Sequence, residues 1–492
     1  MNRVHRLRAN SIKWHNWFGW TGGVALVLFA GSSLLHILMT WTGPQAASFF
    51  PPQTVFSAEN IQAVPKVLAQ NSIDHALMVK LVPGQRGPLL QVTSNNETAR
   101  RYFNLSTGVE IRDHDKAQAI WLARYYSGEQ STPIREIAFQ TSFDASYPWI
   151  NRLLPVYRVT FETDDNLTAF IYTEFGALGS LTNDWKTGIQ SLFSLLHTWS
   201  WLDGLEGARV VIMLIFLISL LAMAGTGTAM VFVFKSRTMP AKRRWHRMIS
   251  YIVWLPFLLF TSSGTYHLLQ QSFMGEPRGF ELGTEMDLSS SRLSGDAQWA
   301  GGFGDTPVNG VALMEGPEGK LLYRVGIPQG KHGQSVGREV RFKGQPVEKL
   351  ALYFDAVTGN LAETSDREIA LHLARTLSGR VESEVRGADL ITHFGPDYDF
   401  RNKRLPVWRI DYEGERLFVD PASGVLVDRI GNAELVEAYS FSFLHKWNMI
   451  SQLVGRLPRD LLLLAVILPA LLAGAIGYIM LWQRFRRRRS SN

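Results

Sequence analysis

Four stretches of the chain are apolar over a length that can cross a lipid bilayer. These stretches are 17–41, 208–234, 248–271 and 460–482. Because an α-helix rises about 1.5 Å per residue, roughly 20 apolar residues span a hydrocarbon core of about 30 Å. The pattern therefore predicts four transmembrane helices and a lipid bilayer as the surroundings of the chain.

The segments between these stretches have the patterns of small α+β domains. Runs such as "ALMVKLV" and "LPVYRVTFE" are rich in β-forming residues, and glycines that favour tight turns separate such runs. The segments "SAENIQAVPKVLAQ" and "DHDKAQAIWLARYY" have helical spacing, and Ser57 and Asp113 are their candidate N-caps. We therefore expect modules of a helix and a small antiparallel sheet, two in each half of the chain.

The second half of the chain repeats the first. The motif "LPVYRVTFE" at 154–162 matches "LPVWRIDYE" at 405–413, an offset of 251 residues. His197 aligns with His445 at an offset of 248, and the first helices of the two halves align at 231. Each half has the order helix, domain, helix. This order predicts two parallel repeats related by an axis along the membrane normal.

Basic residues are concentrated in three pieces next to the helices. Residues 1–16, 235–247 and 483–492 contain many lysines and arginines and no acidic residue, whereas the rest of the chain is net negative. Such basic segments lie on the cytoplasmic side of membrane proteins. The formal net charge of +7 is then a signal of topology, and we expect no nucleic acid as a partner.

The helices, domains and charges together predict one linear organisation. It consists of a cytoplasmic N-terminus at 1–16, a helix at 17–41, an outer domain at 42–205, a helix at 206–234, a cytoplasmic loop at 235–247, a helix at 248–271, an outer domain at 272–458, a helix at 459–482 and a basic cytoplasmic tail at 483–492.

The chain contains no cysteine, which excludes disulfide bonds, thiolate-bound iron–sulfur clusters and covalently attached c-type haem. No nucleotide-binding glycine fingerprint follows a strand in a cytoplasmic segment, and those segments are too short to fold. The sequence therefore predicts no flavin or nicotinamide domain, and no catalytic constellation stands out.

Several motifs resemble one known family. The motifs "WHNWFGWTGG", "YFDAVTGNL", "LPVYRV" and "LDGLEGARVVIMLIF" resemble the PepSY-associated transmembrane family of bacterial inner-membrane proteins over essentially the whole chain. The resemblance implies a four-helix core with PepSY-like periplasmic domains, and several members of the family are haem-containing reductases of ferric siderophores. The turn "YTEFGALGSL" departs from the pattern because it lacks the Asp and Thr-Gly of the corresponding turn in the other half.

Six histidines occupy matched positions in the two halves. They are His15, His36, His197, His246, His267 and His445. Two lie 21 residues apart in each of the first and third helices, and one precedes each of the other helices. Twenty-one residues span about 31 Å of helix and return to nearly the same side. Imidazole is the usual axial ligand of haem iron, so we predict that all six are ligands.

The positions divide the six histidines into two groups. His15 and His246 are predicted near the cytoplasmic face, where twofold symmetry would let them bind one haem, and the other four are predicted at the outer face. In one arrangement each half binds its own outer iron; the pairs are then His36 with His197 and His267 with His445. In another, His36 pairs with His267, and the sequence leaves both arrangements open.

Two arginines are candidates for pairing with haem propionates, because guanidinium binds carboxylate through two hydrogen bonds. They are Arg209 and Arg456, and for Arg209 an interfacial position with its charge in water is an equal alternative. We expect two haem b groups, or three if the outer histidines bind two. For a single histidine, an interfacial role at the membrane boundary is the alternative.

These features predict an inner-membrane b-type cytochrome with both termini in the cytoplasm. It would act as a haem-dependent oxidoreductase that passes electrons outward to a ferric siderophore or another periplasmic acceptor for iron acquisition. Membrane quinol or a cytoplasmic reductase would supply the electrons. The alternative is a cofactor-free membrane anchor whose PepSY-like domains bind or inhibit a periplasmic partner such as a peptidase.

Overall fold

The computed structural model describes residues 3–233, 239–273, 283–289, 291–293, 306–328, 340–344, 346–347 and 349–490. The chain forms two compact units. The helical unit consists of Met1–Gly43, Trp185–Pro277 and Ala433–Asn492, and the sheet unit consists of Pro44–Asp184 and Arg278–Asn432. Of the basic residues predicted in the cytoplasmic loop, Lys235 and Arg237 lie outside the described residues.

Both units contain α-helices. In chain order they are α1 Arg3–Thr42, α2 Ala58–Gln70, α3 His114–Ser127, α4 Asp184–Phe193, α5 Glu206–Val233, α6 Ala241–Phe273, α7 Val340–Lys343, α8 Asp366–Ser378, α9 Asn432–Ser440, α10 Asn448–Val454 and α11 Arg456–Arg489.

Four of these helices, α1, α5, α6 and α11, are long and apolar enough to cross a membrane. They confirm the four predicted membrane-length helices, and the protein therefore has the helices of a membrane protein. Both α1 and α6 pack against α5 and α11. The helices extend beyond the apolar runs, because good helix formers such as Lys and Arg continue them past the apolar boundary. We call the outer end the end at which α1 and α6 finish and α5 and α11 begin.

Two π-helical turns lie at the outer end of the helical unit. They cover Ser194–Thr198 and Phe441–His445. Trp199, directly after the first turn, and Trp447, two residues after the second, both have left-handed backbone conformations, with φ of 54° and 53°. A π turn adds one residue to a helical turn and often occurs at functional sites. Each of these turns carries one of the predicted ligand histidines.

The sheet unit contains antiparallel sheets. The described strands are β1 His75–Ala76, β2 Met78–Gly84, β3 Gly87–Thr93, β4 Arg101–Asn104, β5 Ile134–Gln140, β6 Val156–Phe161, β7 Thr168–Tyr172, β8 Ala177–Thr182, β9 Met286–Asp287, β10 Gly310–Glu315, β11 Leu321–Gly326, β12 Ala351–Asp355, β13 Gly387–Ile391, β14 Val407–Tyr412, β15 Glu415–Asp420 and β16 Val425–Gly431. One sheet has the order β12-β11-β10-β2-β3-β4, and two others have the orders β5-β6-β7-β8 and β13-β14-β15-β16. Together with the helices they confirm the predicted α+β character.

The six-stranded sheet combines strands from both halves of the chain. Its central pairing joins β2 to β10, with Leu81 opposite Val311 and Val79 opposite Leu313. Helix α2 packs its apolar side on this sheet in the largest buried cluster. Two non-adjacent parts of the sequence therefore share one hydrophobic core.

Tyrosine–aspartate pairs attach helices to the sheets at matched positions. The Tyr102 hydroxyl donates to Asp115 at 2.9 Å, and the Tyr353 hydroxyl donates to Asp366 at 2.6 Å. The predicted cap at Ser57 is confirmed as a capping box with Asn60. Asp113 precedes α3 but makes no side-chain cap bond, since its φ of 54° takes the carboxylate away from the first turn.

A buried ionic cluster lies inside the sheet unit at the turn whose sequence departs from the repeat. Glu174, 1% exposed, follows β7 and accepts hydrogen bonds from Lys80 and, at 2.9 Å, from Arg404. Arg404 also donates to Asp420 at 3.1 Å. Burial alone would raise the pKa of Glu174, but the two cations hold it below its ordinary value. The unusual turn sequence thus supplies the central carboxylate of this cluster.

Candidate functional site

The imidazoles of His15 and His246 lie side by side within the helical unit. Their ring centres are 6.3 Å apart, and both rings line one cavity between the helices. With a metal–nitrogen distance of about 2 Å and a ring centre about 1 Å beyond the nitrogen, two axial imidazoles on one iron have ring centres about 6 Å apart. The separation therefore suits two ligands of a single iron.

In His15 and His246, which we call the inner histidines, hydrogen bonds determine which ring nitrogen carries the hydrogen and which keeps its lone pair. His15 Nδ1 lies 3.1 Å from the Met223 carbonyl oxygen, and His246 Nδ1 lies 2.9 Å from the Ala473 carbonyl oxygen. A carbonyl only accepts, so each Nδ1 must carry the hydrogen. Each Nε2 is then left with its lone pair, which is the state that a metal ligand needs.

Small residues make room beside the inner histidines. Gly227 faces His15 and Gly477 faces His246, each in contact with the Cε1 edge of the ring. The same cavity is lined by further glycines, Gly19, Gly23 and Gly474. A Cβ on Gly227 or Gly477 would lie 3.2 or 3.1 Å from the Cε1 atom of its imidazole, so the room beside both rings depends on these two glycines.

The two histidines in the π turns are held in the same way as the inner pair. Ser32 Oγ donates to backbone carbonyls of its own helix and lies 2.9 Å from His197 Nδ1. Ser263 Oγ likewise donates to its own helix and lies 3.3 Å from His445 Nδ1, which is also 3.2 Å from the Phe260 carbonyl oxygen. A hydroxyl has one hydrogen, so Nδ1 is the donor in both pairs and Nε2 is left as the acceptor.

Phenylalanine rings stack on the outer histidines in each half. Phe441 is nearly parallel to His267 at 3.8 Å and to His445 at 4.7 Å. Phe193 stacks on His197 at 4.7 Å and contacts His36 at 5.8 Å.

In each half, one phenyl ring contacts both imidazoles and so occupies space that an iron between those two histidines would need. The stacking therefore favours ligand pairs that combine one histidine from each half.

The outer histidines also interact electrostatically. The pKa of His197 is lowered to about 4, first by burial and then by the nearby His36. The pKa of His445 is lowered to about 3, first by burial and then by the nearby His197. Both rings are therefore neutral near pH 7 and keep the lone pair required for metal binding.

The two arginines predicted near propionates already have carboxylate neighbours. Arg209 donates to Asp203 at 2.6 Å and also pairs with Glu206. Arg456 lies 3.5 Å from Asp460, a carboxylate that is 1% exposed and also accepts from Trp41 at 2.8 Å. Arg459 pairs with the same aspartate. The start of α11 therefore carries a second arginine, in addition to the predicted Arg456.

The donor set fits haem better than a bare metal ion. Within the described residues, no group of three or more His, Asp or Glu side chains is arranged to hold a metal ion. Haem supplies four equatorial nitrogens itself, so two neutral imidazoles complete its iron. The inner pair meets this requirement in separation, in protonation and in the glycine-lined space around it.

Sequence reasoning found the six histidines but missed most of their partners. Ser32 and Ser263 are small residues that permit close approach of a helix or a flat macrocycle, but the sequence does not show their hydrogen bonds to the histidines. The missed residues are Phe193, Phe441, Glu437, Lys446, Gly227 and Gly477. Phe193 and Phe441 could have been found from their spacing, since each precedes a matched histidine by four residues and so shares its helical face.

Comparison with known proteins gives no match: no protein-family model matches the chain, and no curated protein is significantly similar to it. The functional argument therefore depends on the geometry of the histidines.

Proposed function

We propose that this protein is a b-type cytochrome of the bacterial inner membrane that passes electrons to an acceptor outside the cytoplasm, and that this acceptor is a ferric siderophore. The observation that carries the proposal is the common state of four histidines. His15, His246, His197 and His445 all donate from Nδ1 and keep Nε2 for a ligand. A hydrogen-bonded second nitrogen is the usual arrangement of a histidine that binds a metal.

The residues proposed to hold haem form two layers. His15 and His246 would hold the haem iron of the inner layer, and His36, His197, His267 and His445 would hold that of the outer layer. Bound haem supplies a one-electron Fe(III)/Fe(II) couple in each layer. Two histidines on one iron leave no open coordination position, which suits electron transfer and excludes small-molecule binding at that iron.

The chain itself sets the distance that electrons must cross. Twenty-one residues separate His15 from His36 and correspond to about 31 Å of helix. Aromatic rings of the bundle shorten this interval, since Phe257 lines the inner cavity and Phe260 lies 6.1 Å from His445. Residues 257 and 260 are neighbours on one helical face.

The duplicated organisation and the orientation belong to the same proposal. The matched π turns, matched Nδ1 bonds and matched tyrosine–aspartate pairs support two repeats of helix, domain and helix. The positive-inside pattern supports cytoplasmic termini and periplasmic PepSY-like domains, and the motif resemblance supports membership of that transmembrane family. The donor would be membrane quinol or a cytoplasmic reductase.

The first experiment is a spectrum of the purified full chain from haem-replete cells. We expect a Soret band that shifts on reduction with dithionite and does not respond to carbon monoxide, because both axial positions are filled. The reduced protein should then transfer electrons to a ferric siderophore, measured by capture of Fe(II) with a colorimetric chelator. A colourless protein would reject the proposal in favour of the cofactor-free anchor.

A further inference from the structure

One outer histidine has a buried carboxylate as its hydrogen-bond partner. Glu437 on α9 is 8% exposed, and its Oε1 accepts a hydrogen bond from Nδ1 of His267. Phe441, one turn later, stacks on the same imidazole. The ring of His267 is therefore fixed in direction by an anion at one edge and an aromatic face beside it.

The matched position in the first half has no carboxylate. At the offset of 248 residues that aligns His197 with His445, Glu437 corresponds to Ile189, which is buried at 7% exposure. His36, the counterpart of His267, contacts Phe193 but makes no ring hydrogen bond among the described residues. The two halves thus differ in the hydrogen-bond partner of one candidate ligand.

This difference has a definite electronic consequence for a metal. A carboxylate bonded to Nδ1–H draws that hydrogen toward itself and makes Nε2 a stronger electron donor. Stronger donation stabilises Fe(III) more than Fe(II) because the higher charge gains more from it. The reduction potential of an iron bound through His267 is therefore lowered.

A nearby cation acts in the opposite sense. Lys446 Nζ lies 4.5 Å from the centre of the Phe441 ring, on the residue that stacks on His267. The contact that Lys446 makes is with the phenyl ring, whereas Glu437 is hydrogen-bonded directly to the imidazole. Coulomb energy falls with distance, so the carboxylate has the larger effect.

We infer that Glu437 is a positioning residue that makes His267 the strongest donor among the outer histidines and lowers the reduction potential of the outer iron. The inference rests on the proposed function. It also gives a function to the difference between Glu437 and its counterpart Ile189. An iron of low reduction potential at the outer end is a stronger reductant for Fe(III) held by hard oxygen ligands.

The test is a redox titration of the full-length haem protein and its Glu437→Gln variant, followed optically and by electron paramagnetic resonance of the ferric state. Gln keeps the size and a hydrogen-bond acceptor but removes the charge. A tenfold loss of preference for Fe(III) corresponds to an upward shift of about 60 mV for a one-electron couple. We expect a shift of this order in one component, with unchanged haem content and an altered outer ferric signal.

Glu434→Gln is the matched control, because it removes a carboxylate from the same helix one turn earlier. If both variants shift equally, or if Glu437→Gln leaves the potential unchanged, the inference is wrong while the proposed function stands. If Glu437→Gln loses the outer haem, Glu437→Asp decides: recovery of haem and of the low potential supports the inference, and failure to recover overturns it. A colourless wild-type protein overturns both.

Discussion

Gly227 lies against the edge of the His15 imidazole. A Cβ built on Gly227 would be 3.2 Å from His15 Cε1, and the matched pair repeats the relationship, with 3.1 Å between a Cβ on Gly477 and His246 Cε1. Both distances are below ordinary van der Waals separation for carbon atoms. The helices α5 and α11 therefore approach the two histidines so closely that a side chain at either glycine would press on an imidazole.

This contact predicts an unusual response to Gly227→Ala. Alanine favours a helix over glycine by about 1 kcal/mol, so the substitution by itself should stabilise α5. It should nevertheless displace His15 and lower haem retention at the inner site, by about tenfold if the effect resembles loss of other contacts that orient metal ligands. Haem content and thermal stability of the purified protein measure the two effects separately.

Gly225→Ala is the control on the same helix, since a Cβ there meets no atom within 4 Å. It should keep full haem content. Equal haem loss in both variants would show that the close approach of Gly227 to His15 has no functional role.

Replacement of His15 by Ala should remove one haem group per chain and leave the outer signal intact. The physical reason is that, in the proposed inner site, His246 alone would supply only one of the two imidazoles that hold the iron. The measurement is the haem-to-protein ratio together with the reduced spectrum. His75→Ala, at an exposed position in β1, should change neither, and a wild-type ratio in His15→Ala would exclude His15 as a ligand.

The ionic cluster of the sheet unit predicts a large loss of stability in Glu174→Gln. Lys80 and Arg404 would remain buried without their shared carboxylate, which costs about 3–5 kcal/mol. Glu136→Gln is the contrasting variant, because Glu136 is 55% exposed in its pair with Arg158 and such surface pairs contribute about 0–1 kcal/mol. Chemical unfolding of the full chain, followed by near-ultraviolet circular dichroism, compares the two.

The same carboxylate predicts a dependence on pH. The pKa of Glu174 is held below its unfolded value of about 4.3, so its stabilising contribution is complete above that pH and is lost as the pH falls further. The stability difference between the wild type and Glu174→Gln should therefore narrow below about pH 4. A difference that stays constant at acidic pH would show that ionised Glu174 does not stabilise the fold.

The absence of native cysteine allows a direct test of topology. Glu97→Cys in the sheet unit and Ser490→Cys after α11 place single thiols at exposed positions. If the basic segments are cytoplasmic, a membrane-impermeant maleimide should label the first in intact spheroplasts and the second only after permeabilisation. The reverse pattern would contradict the orientation.

The features predicted correctly are those that have a local signal. The four apolar runs form four helices. Glycines were expected in tight turns between strands, and three of them, Gly108, Gly359 and Gly424, have positive φ, at 72°, 70° and 66°. Each signal needs only residues that are close in sequence. The helix ends were less accurate, since α1 begins at Arg3 although its apolar run begins at residue 17.

The features missed depend on partners that are distant in sequence. Ser32 and His197 are 165 residues apart, and Glu437 and His267 are 170 apart. Which side chains form hydrogen bonds across the bundle depends on how the helices pack. No short pattern in a single sequence encodes that packing. Glu174 is a further example. The turn that carries it departs from the repeat, and its partners Lys80 and Arg404 are distant in sequence.

The pairing of β2 with β10 determines when the sheet can be completed during synthesis. Leu81 leaves the ribosome 230 residues before its partner Val311. At about 5–20 residues per second, that interval lasts roughly 10–45 s. Throughout it, β2 exposes an unpaired edge of apolar residues that can associate with other chains. Newly made first halves therefore need protection from aggregation until the second half emerges.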